Sequence, residues 1–192
     1  MTLSIFDLEW TAWKGSKDRN WSLNYEQKEI VEFGCICFDS FNSKKIFKKN
    51  FHFKTINDIS PYFTNLTKIT KNYNNTYGKK FSTNFLEIVR LMNKSQIILC
   101  NGLDKEVLIE NFEIRKMAIP LFVKRIKNIS HILSKCIATK NEHIVSSELL
   151  DALKIKSSIK NKHRAADDAH AIYLGMKHLI KINKIKISDL SR

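Results

Sequence analysis

The chain has 192 residues, 43% hydrophobic and 27% charged, which suits a single domain over residues 1–192 and leaves little room for a second core. Its formal net charge of +14, carried mainly by lysine, favours a polyanionic partner such as nucleic acid; the competing reading is a background bias that scatters lysines over a solvated surface. No apolar run approaches the roughly 20 residues of a membrane span and Met1 leads straight into a strand, so a cytoplasmic protein without a membrane partner is expected.

Ser4 to Trp10 reads as a short strand entering a core. Strand side chains alternate faces, so Asp7 and Glu9 point the same way. Two carboxylates side by side on an apolar strand repel each other and are unfavourable to bury unless something positive lies between them, which a divalent cation would supply. Alone, such a pair is common on solvated strands.

The polar loop from Thr11 to Gln27 interleaves aromatic and basic residues, among them Trp13, Lys14, Lys17, Arg19, Trp21 and Tyr25. With Trp10, its tryptophans offer stacking surfaces for unpaired bases, or else cover an open sheet edge. Lys28 to Asp39 and Lys44 to Phe53 follow as two strands joined by a turn. Pro61 suits the first turn of a short helix, and the polar, Asn-rich stretch up to Gly78 reads as loop.

From Ser82, a candidate N-cap, Phe85, Ile88, Val89 and Met92 recur with helical spacing. Gln96 to Cys100 is a buried strand of the parallel type, and Asp104 begins a helix to about Met117, stopped by Pro120. Val123 to Ile129 reads as a strand and Ser146 to Ile155 as a helix. A last helix after His163 carries Ala165, Ala169, Ile172, Tyr173, Met176 and Leu179, with a short basic tail from about residue 181. Three meandering strands followed by strand–helix alternation give an α/β fold, a mixed sheet covered by helices.

Cys35, Cys37, Cys100 and Cys136 lack the spacing of a zinc clamp, and buried free thiols are expected. Asp104 lies at the C-terminal end of a buried strand, where open α/β sheets place their sites, although by itself it reads as a helix cap. His163 sits in the turn before the last helix and Asp168 in its early turns, so both can reach one cavity beside the sheet. Asp167 reads as a first-turn acid favoured by the helix dipole.

Together, Asp7-x-Glu9, Asp104 and His163-x-x-x-x-Asp168 resemble the three exonuclease motifs of the DnaQ-like superfamily, in its Asp-Glu-Asp-Asp-His subgroup. Glu29-Ile30-Val31-Glu32-Phe33-Gly34, Leu66-Thr67-Lys68-Ile69-Thr70 and Asn101-Gly102-Leu103-Asp104 support the resemblance, which spans residue 4 to about 180 and is greatest for the KapD-like and histone-mRNA-exonuclease-like branch. Lys68 stands where that segment usually has Gly, and the aromatic loop is longer than in proofreading subunits.

The resemblance implies a ribonuclease-H-like fold and a 3′-to-5′ exonuclease in which Asp7, Glu9, Asp104 and Asp168 hold two Mg²⁺ or Mn²⁺ ions. Hard oxygen ligands suit those ions. It further implies that His163 accepts the proton of the attacking water and that Leu66 and Thr67 contact the terminal nucleotide of a single strand, with RNA favoured over DNA. A non-catalytic nucleic-acid-binding module and a proofreading-type deoxyribonuclease are the alternatives; a homo-oligomer is not indicated.

Overall fold

The computed structural model describes residues 2–137, 143–159 and 161–190. The first strand, β1 (Leu3–Trp10), lies at the centre of a five-stranded sheet. It pairs antiparallel with β2 (Ile30–Phe38), which pairs antiparallel with β3 (Ile46–His52). On its other side β1 runs parallel to β4 (Ile97–Cys100), and β4 runs parallel to β5 (Ile126–Asn128). The order is therefore β3-β2-β1-β4-β5.

This placement follows from the side chains. β1, β2 and β4 are buried almost throughout, as strands covered on both faces must be, while β3 at the sheet edge exposes Lys48 and half-buries Lys49, where charge discourages further pairing. Phe6 and Leu8 pack on one face with Phe33, Phe85, Ile88 and Phe112; Leu3 and Ile5 pack on the other with Ile36, Leu99, Ile172 and Met176. Asp7 and Glu9 share the parity of Leu3 and Ile5. The register slips between Glu9 and Trp10, one residue before the strand ends.

Seven α-helices occur among the described residues: α1 (Pro61–Thr67), α2 (Lys71–Tyr77), α3 (Phe81–Asn93), α4 (Asp104–Ile114), α5 (Ser130–Ile137), α6 (Leu149–Ala152) and α7 (Ala165–Lys181). Ser60 caps α1 by accepting the Phe63 N–H at 3.0 Å, with Pro61 in the first turn. Lys68 closes that helix at φ +63°, a left-handed conformation that favours glycine, which accounts for the glycine usual at this place in the resembled motif.

Several elements differ from the sequence reading. Residues 71–77 form α2 rather than loop, because the helix is held by polar groups without an apolar stripe: Thr70 accepts the Tyr73 N–H, and buried Asn74 donates to the Phe53 carbonyl at 2.7 Å. α3 begins at Phe81, and its cap position, Lys80, has no side-chain capping bond, so Ser82 lies inside the helix. Val123 falls in a 3₁₀ turn over Leu121–Arg125, leaving three residues for β5; buried apolar residues alone do not separate the two conformations.

α5 was not anticipated, and the segment read as one helix from Ser146 is a 3₁₀ turn plus α6, ended by Lys154 at φ +56°. Of the expected basic tail, Ile185 and Leu190 are buried against the α7 side of the core. All four cysteines are free; Cys35 and Cys100 are buried, Cys37 and Cys136 only half-buried.

Candidate active site

β1 delivers Asp7 and Glu9 to the floor of a cleft of about 410 Å³, where they are 6% and 8% exposed. Asp104 opens α4 where β4 ends. It is not the cap of that helix: Leu103 occupies the cap position, and the Asp104 Oδ1 accepts the Leu8 N–H at 2.8 Å, which fixes the acid against β1. Asp168, in the first turn of α7, accepts the His163 N–H at 3.1 Å through Oδ2. His163 holds φ +59° in the turn before that helix.

α7 reaches the sheet because of Gly34. A Cβ at this position would stand 2.0 Å from the Ala166 nitrogen, so only glycine lets the start of α7 lie directly on β2, opposite Asp7 in the strand register. Asp7, Glu9, Asp104, His163 and Asp168 all line the same cleft. Ligand atoms of Glu9, His163 and Asp168 lie within 4.8 Å of one another; Asp7 and Asp104 stand outside that tightest group.

The acids act on one another. Burial foremost, then Asp104, Asp168 and Glu9, push the Asp7 carboxyl well above its ordinary value, partly offset by a hydrogen bond from Ser146. Glu9 rises through burial, then Asp168, Glu32 and Asp104. Burial also lifts Asp104 to about 8 and Asp168 to about 7. Carboxylates driven this far are poor neighbours for one another in a metal-free protein, and the set of hard oxygen donors fits a divalent cation such as Mg²⁺ or Mn²⁺. Burial lowers the His163 pKa, so its ring is neutral near pH 7.

The remaining sequence candidates divide. Trp10, Trp13, Trp21 and Leu66 line the cleft, the three tryptophans half-buried. Trp21 also donates its ring N–H to the Thr11 carbonyl at 3.0 Å and packs on Trp10, so it has a structural task as well. Thr67 is buried outside the cleft lining, its hydroxyl donating to the Phe63 carbonyl and accepting the Ile69 N–H. A direct side-chain contact from Thr67 to a nucleotide is therefore not what this geometry offers.

Other residues join the cleft without having been picked out for it: Tyr62, Asn101, His143 and Ser146. Asn101 donates to the Ile144 carbonyl at 2.8 Å and to the Ser146 Oγ at 3.2 Å. Asn101 carried a signal in its place three residues before Asp104; His143 and Ser146 lie in a stretch without any.

The exonuclease family described as RNase_T matches residues 4–174. The chain belongs to this exonuclease family. Its members are hydrolases, and this one is of the DnaQ-like type. A comparison with curated protein sequences gives no match.

Solved structures share the exonuclease fold. The nuclease domain of 3′hExo, a DEDDh family member bound to rAMP, is 16% identical, with TM-score 0.77 over 96% of this chain and 94% of that one. A 3′-exonuclease whose structure concerns 3′-end recognition of histone mRNA stem-loop is 18% identical, with TM-score 0.76 over 94% of this chain and 64% of that one. The zinc-bound E. coli exonuclease I complex with single-stranded DNA is 18% identical, with TM-score 0.69 over 94% of this chain and 40% of that one. The chain thus spans less than two thirds of the latter two. These likenesses are of fold, and they identify the mixed sheet and its helices as ribonuclease-H-like.

Proposed function

We propose that this exonuclease-family chain is a metal-dependent 3′-to-5′ exonuclease that releases nucleoside 5′-monophosphates from the 3′ end of single-stranded nucleic acid, with RNA preferred over DNA. The observation that carries the reading is the convergence of four buried carboxylates, Asp7, Glu9, Asp104 and Asp168, on one cleft wide enough for a nucleotide. These four would hold two Mg²⁺ or Mn²⁺ ions. Such ions, when bound, activate a water and stabilise the leaving 3′ oxygen of an in-line displacement at phosphorus.

The chain's own groups do the rest. His163, neutral near pH 7 and close to Glu9 and Asp168, accepts the water's proton. Trp10, Trp13, Trp21 and Leu66 form an apolar wall on which the terminal base stacks, while Thr67 seats that wall by holding the end of α1. The basic surface supplies phosphate neutralisation. The preference for RNA draws support from the histone-mRNA and rAMP contexts of two neighbours, against single-stranded DNA for the third.

Chromatography of the products from a 3′-hydroxyl oligonucleotide tests the reading. Nucleoside 5′-monophosphates are expected from the first turnover. Nucleoside 3′-phosphates or internal fragments would contradict it.

A further inference from the structure

A fifth carboxylate borders the acid cluster. Glu32 on β2 is the register partner of Glu9 on β1 and is completely buried. Directly opposed strand residues share a face, so an uncompensated charge here would add to the field of the four acids.

Its oxygens are already taken. Arg164 donates through Nη2 to Oε1 at 2.6 Å and through Nε to both oxygens at 3.1 Å. The Ala165 N–H donates to Oε2 at 3.2 Å, so the same carboxylate satisfies the start of α7. His52 Nδ1 lies 3.0 Å from Oε1. Arg164 also reaches the Tyr73 hydroxyl at 3.4 Å with its guanidinium 5.6 Å over that ring, so one side chain ties β2, α7 and α2 together. A planar fork is needed for this; a lysine makes a single point contact.

We propose that Arg164 is a positioning residue that holds Glu32 as a neutralised fifth carboxylate, keeping it out of the metal site while fixing the His163–Asp168 turn on the sheet. The inference rests on the proposed metal-dependent reading of the neighbouring acids. It has a signed consequence. Removing the negative charge leaves an unopposed cation beside the site and weakens metal binding; removing the positive charge leaves an unopposed anion and strengthens it. A strut that served only packing would weaken binding in both cases.

The test is Mn²⁺ affinity of the full chain, measured by electron paramagnetic resonance of free Mn²⁺, with thermal denaturation to confirm folding. Glu32→Gln is expected to weaken Mn²⁺ binding roughly tenfold and Arg164→Met to tighten it several-fold while slowing turnover. Glu32→Gln combined with Arg164→Met is expected to return within about threefold of the unsubstituted protein. Weakening in both single variants, with the double variant no better than the worse of them, would overturn the proposal.

Should Arg164→Met fail to fold, Arg164→Lys keeps the charge without the fork and is expected to hold near-normal Mn²⁺ affinity with reduced turnover. Unchanged affinity in Glu32→Gln would then be the overturning result. Absence of Mn²⁺ binding in the unsubstituted protein would instead remove the metal-dependent reading itself, and this inference with it.

Discussion

Gly34 and Ala166 approach so closely that a Cβ on the glycine would stand 2.0 Å from the alanine nitrogen. The contact sets the distance between β2 and the start of α7, and hence between Asp7 and Asp168. Gly34→Ala forces the helix off the sheet, because backbone cannot yield as a flexible side chain can. The expected result is a loss of about 1–3 kcal/mol of stability, as for an overpacked core, together with strongly reduced turnover. Denaturant titration alongside a nuclease assay checks it; an unperturbed variant would mean that α7 is not held by this contact.

The raised carboxyls make the metal-free protein sensitive to base. Asp104 sits at about 8 and Asp168 at about 7, both lifted chiefly by burial, against ordinary values near about 4. The folded state therefore binds these protons more tightly than the unfolded chain. Their stabilising contribution is complete below about pH 4 and is lost as the pH rises through the folded values near 7 and 8. His163 and His170, whose pKa values burial lowers, act in the opposite sense, so the comparison must be with Asp104→Asn, which can still accept the Leu8 N–H. In chelator, the melting temperature of the unsubstituted protein should fall relative to that variant as pH rises, and Mg²⁺ or Mn²⁺ should reverse the fall. Parallel curves would contradict the burial-raised Asp104 carboxyl.

His163 is expected to govern the acid limb of the rate profile. Burial lowers its pKa, so the base form persists to below the ordinary imidazole value of about 6.5, and activity is lost as the ring gains a proton beneath it. His163→Asn, which tolerates the left-handed backbone, should reduce the single-turnover rate by about 10²- to 10⁴-fold with little change in substrate affinity. Equal rates would exclude His163 as the base.

Trp13 is half-buried on the cleft wall and meets the Tyr25 ring edge-on, with centroids 5.7 Å apart. If it stacks a base, Trp13→Ala weakens single-strand binding by about 1–3 kcal/mol, measurable by fluorescence anisotropy. Trp21→Phe is a milder companion, since it mainly loses the bond to the Thr11 carbonyl. Unchanged affinity in Trp13→Ala would leave that ring as cover for the loop.

The sequence made some of this legible and not the rest, for physical reasons. Period-two alternation fixes Asp7 and Glu9 on one face of β1, and the end of a buried strand marks Asp104, so the cleft floor could be read from local pattern. α2 could not, because its stability comes from Thr70 and Asn74 bonding to backbone rather than from an apolar stripe. The pairing of Glu32 with Arg164 was equally hidden: the partners are 132 residues apart, and each motif alone gives no sign of the other. Thr67 illustrates the reverse case, a motif residue whose hydroxyl is occupied inside its own helix turn.

The most direct measurement is a time course with 5′-labelled single-stranded RNA and DNA oligomers, in Mg²⁺, in Mn²⁺ and in chelator, run beside Asp7→Asn. The expected result is a ladder shortening from the 3′ end, present only with metal, faster on RNA and absent in the variant. Tight binding without shortening under either metal, or shortening that survives chelator and Asp7→Asn alike, would contradict a metal-dependent exonuclease built on these carboxylates.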